Sequence, residues 1–320
     1  MILSHARDDV DVVAVGETMA TFVPDGTPDR YRVVPAGAES NVAIGVAHLG
    51  LRARWVSRLG ADDLGRLVCD TVSSHGVDVR VEWDEHLPTG IMTKSVEDGR
   101  TRVQYYRSGS AASRLDERHH AFVGDRPRWT HLTGITPALS SGARRLASRL
   151  LLDRDKDQGQ GRTSFDFNYR PALWSGPSEA VDVLAPLARA ADLVFVGDDE
   201  AAALFGTCDE DALRAELLTR SDQELILKRG GGMASLITTE ASWSEPAKRV
   251  EVVDLTGAGD AFAAGYLAGR CKGWNVAQRL QSGHFLASQV ISRLSDVGPI
   301  PDPDFDDGHQ SDLSAKGDTK

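Results

Sequence analysis

Short runs rich in β-branched and aromatic residues alternate with longer amphipathic ones along most of this chain. The β-rich runs are VVAVG (12–16), RWVSRLG (54–60), WTHLTG (129–134), TSFDFN (163–168), DLVFVG (192–197) and ELILKRG (224–230). Among them lie NVAIGVAHLG, SSGARRLASRLL and DEDALRAELLTR, whose apolar residues recur at helical spacing. Strands that alternate with helices require right-handed crossovers, which predicts an α/β fold: a mainly parallel sheet covered by helices on both faces. Ligands of such sheets bind beyond the carboxyl ends of the strands. With 320 residues, 41% of them hydrophobic, the chain has enough apolar mass for one large domain, expected over residues 1–300.

Two stretches break the rhythm. TMATFVPDGTPDRYRVVPAG (18–37) and TGIMTKSVEDGRTRVQYYRSG (89–109) alternate apolar and polar residues around Asp-Gly turns, as antiparallel hairpins do, and together predict a small separate sheet. DRDKDQGQGR (153–162) reads as a surface loop. PDPDFDDGHQSDLSAKGDTK (301–320) has almost nothing apolar to offset the entropy of ordering, which predicts a disordered tail. The formal charge of -11 argues against nucleic-acid and membrane-surface partners, since an acidic surface repels both. Cys69, Cys208 and Cys271 form no CxxC pair, and neither a signal peptide nor a membrane span is visible, so a reducing cytoplasm fits best.

Chemistry concentrates in DLTGAGDAFAAGYLAG (254–269). A β-rich segment, RVEVVD (249–254), is expected to run into small residues and then a helix. Gly257, Ala258 and Gly259 would place unobstructed N–H groups at that helix's N-terminus, where orphan donors and the helix dipole favour an anion. Asp260 would follow in the first turn. A base beside an anion cradle is what phosphoryl transfer to an alcohol needs: one group takes the hydroxyl proton and fixed donors hold the transferring charge. For a lone GxGD, a tight turn with a helix-start aspartate would be the better reading.

The full segment is more specific, and it resembles the D-T-x-G-A-G-D signature of the ribokinase-like, PfkB-type carbohydrate kinases, with Leu255 where the family has Thr. That resemblance implies a ribokinase-like three-layer fold in which the two hairpins form a β-sheet lid over the sugar. It implies Asp260 as catalytic base, with Gly257, Ala258 and Gly259 as the anion hole, and Asp254 near a monovalent-cation site. PAGAESNVAIGVAHLGL (35–51) resembles the family's G-G-x-x-x-N-x-A element, which implies sugar contacts for Gly37 and Asn41. From the residues alone, Asn41 reads equally well as a helix N-cap.

YYRSGSAASRL (105–115), HLTGITPALS (131–140) and DFNYRPALWS (166–175) resemble segments of 2-keto-3-deoxygluconate kinases. The resemblance implies sugar-acid contacts for Gly37, Tyr105, Arg107, Ile135 and Arg170, and nucleotide contacts for Asn168, Arg170, Lys228, Gly230, Gly232, Gly257 and Gly259. It implies ATP and Mg2+ as cofactors, with K+ as an optional third, and a homo-oligomer. Guanidinium forks suit carboxylates, and a chain of net negative charge must supply them locally for an anionic acceptor. Three positions depart from the family pattern: Met92 replaces a lid tyrosine, Gly197 replaces Asn in N-x-x-E while Glu200 is kept for indirect Mg2+ contact, and Met233 replaces a glycine of the nucleotide loop.

The leading expectation is therefore ATP-dependent phosphorylation of 2-keto-3-deoxygluconate to its 6-phospho product. Other PfkB-type kinases acting on fructose, ribose, a nucleoside or the galactonate epimer are the alternatives, with a non-catalytic sugar-acid-binding protein as a third class. VGET (15–18) follows a strand but lacks G-x-G-x-x-G, so no dinucleotide fingerprint is supported. His119, His120 and His131 are scattered and read as structural.

Overall fold

The computed structural model describes residues 10–97, 100–124, 127–153, 161–230 and 232–292. The predicted tail at 301–320 and most of the predicted loop at 153–162 lie outside them. The strands are β1 (Val12–Val15), β2 (Met19–Asp25), β3 (Thr27–Ala36), β4 (Ala53–Gly60), β5 (Asp78–Asp84), β6 (Ile91–Glu97), β7 (Arg100–Tyr106), β8 (Trp129–Thr133), β9 (Arg162–Asp166), β10 (Leu193–Gly197), β11 (Glu224–Arg229), β12 (Met233–Ile237) and β13 (Ser242–Pro246). The helices are α1 (Ala38–His48), α2 (Asp63–Ser74), α3 (His120–Val123), α4 (Ile135–Leu139), α5 (Ser141–Leu151), α6 (Pro177–Ala190), α7 (Asp198–Phe205), α8 (Glu210–Leu217), α9 (Ala258–Lys272) and α10 (Val276–Ile291).

Nine strands form the main sheet in the order β13-β12-β11-β10-β9-β8-β1-β4-β5. From β11 to β5 every pairing is parallel, while β12 and β13 extend one edge antiparallel. Side chains of a strand point alternately to opposite faces, and a sheet covered twice needs apolar residues on both. In β1, Val13 and Val15 face a core with α5, α6, α7 and α8, whereas Val12 and Ala14 face a core with α1, α2, α9 and α10. β10 divides the same way, with Val194 and Val196 on one side and Leu193 and Phe195 on the other. The fold is thus a three-layer α/β/α sandwich.

The two off-rhythm stretches form a separate four-stranded sheet in the order β3-β2-β6-β7. Each hairpin is antiparallel, but they join through a parallel β2–β6 pair, Ala20 opposite Ile91. The reason is topological: β2 follows β1 and β6 follows β5, and both precursors run the same way in the main sheet. On this small sheet Met92 lies opposite Tyr105 and Lys94 opposite Val103, so these side chains share a face with Thr21.

Two local expectations fail. Residues 249–254 form no strand: Val253 and Asp254 donate their N–H groups to Ile291 O at the end of α10, and Val250, Val252 and Val253 are exposed. Asn41 does not cap α1 either. Gly37 occupies the N-cap and accepts from the Asn41 N–H at 2.9 Å, which leaves the Asn41 side chain free to leave the helix.

Candidate active site

Small residues set the position of the Asp260 carboxylate. α9 is buried on nearly all sides, and a Cβ placed on Gly45 of α1 would lie 2.6 Å from Ala264 Cβ, too close for two carbons. Gly45 therefore lets α1 and α9 approach closely. One turn N-terminal to that contact on each helix stand Asn41 and Asp260, and Asn41 Nδ2 donates to Asp260 Oδ2 at 2.9 Å. Gly257 has φ 80°, a left-handed conformation that a residue with a Cβ adopts at a cost, and it opens α9. The first helical N–H, that of Ala258, donates to Leu255 O at 3.2 Å, so of the expected anion donors this one is engaged by the turn itself and the N–H groups of the next residues, from Gly259 on, are the orphan donors of the helix start.

The opposite wall comes from the carboxyl ends of β9, β10 and β11. Beyond β9 the chain turns through Asn168, the one non-glycine residue of positive φ (36°) among the described residues. Asn168 Nδ2 donates to Asp260 Oδ1 at 3.2 Å, and its backbone N–H donates to Asp166 Oδ1. Each oxygen of Asp260 thus accepts one amide. Lys228 Nζ lies 2.7 Å from Asp166 Oδ2 and would be 3.3 Å from a Cβ on Gly259, which puts its ammonium beside the start of α9. Glu200 accepts from the Tyr169 N–H and the Gly197 N–H, each at 2.8 Å, so the site keeps this carboxylate fixed although Gly197 has no side chain.

Burial raises the Asp260 pKa; the Asn41 hydrogen bond opposes it, the Asp166 charge adds to it, and Arg170 and Lys228 oppose it, leaving a net rise. Glu200 is also raised, by burial and then by Asp166. Burial works against the Lys228 ammonium, but Asp166 and Glu200 outweigh it and its pKa goes up. The result is a carboxylate of increased basicity and a fixed cation at one helix N-terminus, whose orphan N–H groups begin at Gly259. Such a constellation can take a hydroxyl proton while holding an anion.

A cavity of about 590 Å³ opens here, lined by Asp166, Asn168, Arg170, Glu200, Lys228, Gly230, Gly232 and Gly257 to Asp260 among others. The remaining expected residues do not line it. Gly37 packs against Glu17 and Thr18, Ile135 starts α4, and Tyr105 is half exposed on the small sheet. Arg107 Nε donates to the buried Glu17 at 2.7 Å, and its guanidinium lies over the Tyr105 ring. Tyr105 and Arg107 belong to or directly follow the small sheet and Gly37 directly follows its strand β3, whereas Ile135 follows β8 of the main sheet; Asn41, one turn into α1 from Gly37, reaches Asp260.

Sequence reasoning missed Asp166, Glu17, Glu39 and Lys94. Asp166 and Glu17 carried one usable signal, being at or just past the carboxyl end of a β-rich run. Glu39, in the first turn of α1, accepts from Thr133 and Thr136 at 2.7 and 2.8 Å while its other oxygen has no hydrogen-bond partner. His131, read as structural, is buried against Ser164, and burial lowers its pKa to about 4.

The model of the pfkB family of carbohydrate kinases matches residues 9–303. A 2-dehydro-3-deoxygluconokinase of Bacillus subtilis is 33% identical over 309 residues, 91% of this chain and 93% of that one. A 2-dehydro-3-deoxygalactonokinase of Haloferax volcanii is 33% identical, covering 85% and 88%. The solved PfkB protein from Polaromonas sp. JS666 superposes with a TM-score of 0.80 at 30% identity, over 89% of this chain and 97% of that one. A glycine-opened helix carrying Asp260, set in a ribokinase-like fold and matched from end to end of the described residues, makes this chain a member of the pfkB family of carbohydrate kinases.

Proposed function

We propose that the chain transfers the γ-phosphoryl group of ATP to the terminal hydroxyl of 2-keto-3-deoxygluconate, with Asp260 as the base. The observation that carries this reading is the Asp260 carboxylate, held by Asn41 and Asn168 at the mouth of the cavity and at the N-terminus of α9. The triphosphate occupies the cavity with its terminal phosphate toward Gly257 to Gly259. The acceptor lies on the lid side. Asp260 takes the hydroxyl proton as the oxygen attacks phosphorus, and the ADP oxygen leaves in line. The α9 N–H groups, Lys228 and Arg170 hold the charge that spreads over the transferring oxygens. One such donor is worth about 3 to 4 kcal/mol in the transition state.

A hydrated Mg2+ fits the carboxylates that line this cavity, because that ion keeps several waters and takes one or two carboxylates plus phosphates. Glu200, whose oxygens each accept a backbone N–H, would hold it through water. When bound, the ion neutralises phosphate charge.

An acid acceptor is favoured by the two arginines on the path of the substrate. Glu17 takes the Nε edge of Arg107 and leaves Nη1 to a ligand, and Arg170 spends one N–H on Tyr169 O and is otherwise open. The Haloferax relative named above favours a second reading, the galactonate epimer, since the two acceptors differ in the configuration of one hydroxyl. Coupled ADP release over a panel of both keto acids, fructose, ribose and a nucleoside decides between them. Strong turnover of a neutral sugar with none of either keto acid would overturn the sugar-acid reading.

A further inference from the structure

One buried ion pair joins the small sheet to the anion-binding turn. Lys94 of β6, 6% exposed, places Nζ 3.0 Å from Asp254 Oδ2 across 160 residues of sequence. The other oxygen of Asp254, Oδ1, accepts from the Thr256 N–H at 3.0 Å and the Thr256 hydroxyl at 2.8 Å. Burial alone would raise the Asp254 pKa, yet the Thr256 hydrogen bonds and Lys94 outweigh it and hold it below the usual range. The carboxylate is therefore charged, and protein donors engage both of its oxygens. Thr256 immediately precedes Gly257, the residue that opens α9.

Resemblance to the family suggested a monovalent cation beside Asp254. The residues present do not fit one: a metal ion on Oδ2 would stand against the Lys94 ammonium, and Oδ1 already takes two donors. We propose that the Lys94 ammonium takes the place of a monovalent cation at Asp254, fixing the 254–257 turn against the lid, so that phosphoryl transfer here needs no K+. Lys94 is a positioning residue: it acts through Asp254 on the N–H groups at the start of α9. Because the same side chain belongs to the small sheet, seating of the lid and ordering of the anion-binding turn become one event.

The kinetic arm of the test rests on the kinase reading, whereas the thermal arm does not. The full chain is assayed for ADP release and for Tm in KCl and in tetramethylammonium chloride at equal ionic strength, with nucleotide supplied as a K+-free salt. Wild type should differ by less than about 3-fold in kcat/KM between the two salts, and its Tm should show no rise specific to K+. Lys94→Met should lose about 10-fold or more in kcat/KM in tetramethylammonium. K+ or NH4+ should recover most of that loss, with a K+-specific rise in Tm, and Lys94→Arg should stay near wild type and indifferent to K+. A wild-type K+ effect above that limit, or a K+-specific rise in its Tm, overturns the proposal even if Lys94→Met does not fold. So does a Lys94→Met protein as active as wild type in tetramethylammonium, or one whose loss neither cation reverses. Absence of turnover on any acceptor would count against the kinase reading and leave the thermal comparison to judge Lys94.

Discussion

Asp260 and Glu39 are both buried carboxyl groups raised by loss of water, and they serve opposite purposes. Asp260 keeps two amide donors and a view of the cavity, so its basicity is available to a ligand. Asp260→Asn keeps the shape and removes the proposed base, and a general base contributes a factor of about 10² to 10⁴. We expect kcat to fall by that factor while calorimetric affinity for the acid acceptor stays within a few-fold; near-normal turnover would remove Asp260 from the chemistry. Glu39 is sealed between α1 and the β8–α4 turn, facing Thr133, Thr136 and the more distant Asp260 charge, and burial raises its pKa from 4.5 to about 7. Between those values the folded chain keeps a proton that the unfolded chain has released, so the folded state binds more protons and stability falls as pH rises through that window. Full ionisation costs about 3 kcal/mol at this shift. Glu39→Gln does not titrate. Its stability relative to wild type should grow from pH 4.5 upward and level off above pH about 7 in urea titrations, and parallel wild-type and variant curves would refute the assignment.

At the scale of elements, the contact of α1 with α9 sets where the Asp260 carboxylate stands. Asn41 and Asp260 are 219 residues apart in sequence and meet because Gly45 and Ala264, one turn further along each helix, permit the close approach. Gly45→Val should force the helices apart, at about 1 to 3 kcal/mol of stability for overpacking. It should also lower kcat beyond what the stability loss explains, since the Asn41 donor moves with its helix. The variant's denaturation midpoint and its kcat, measured at a temperature where it is fully folded, check this; an unchanged kcat would show that the Asn41 contact is dispensable. The small sheet makes the same point in a different way. Alternation and Asp-Gly turns reveal the hairpins, but the parallel β2–β6 pair that joins them follows from the direction of β1 and β5 in the other sheet.

For the whole molecule, the proposed acceptor, bound between the small sheet and the main one, would stabilise the folded state that binds it. At a concentration 100 times its Kd, a bound acceptor adds about 2.7 kcal/mol to unfolding. The keto acid should therefore raise Tm while a neutral hexose at equal concentration should not, and an equal rise from both would contradict a site built around Arg107 and Arg170. Periodicity and turn chemistry are local, so the layered α/β class is legible in the order of residues alone, and so is the stretch from Gly257 to Asp260, because a glycine turn opening a helix is local too. RVEVVD shows the limit of that reasoning: its valines carry the strand pattern, but Val253 and Asp254 give their N–H groups to Ile291 O at the end of α10 instead of to a strand. The tertiary structure alone decided the partners of the charges. Lys228 meets Asp166 across 62 residues, Arg107 meets Glu17 across 90, Thr133 meets Glu39 across 94 and Lys94 meets Asp254 across 160. Composition and spacing carry no record of such pairings, because chain folding sets which distant side chains lose their water together, and that loss makes each need the other.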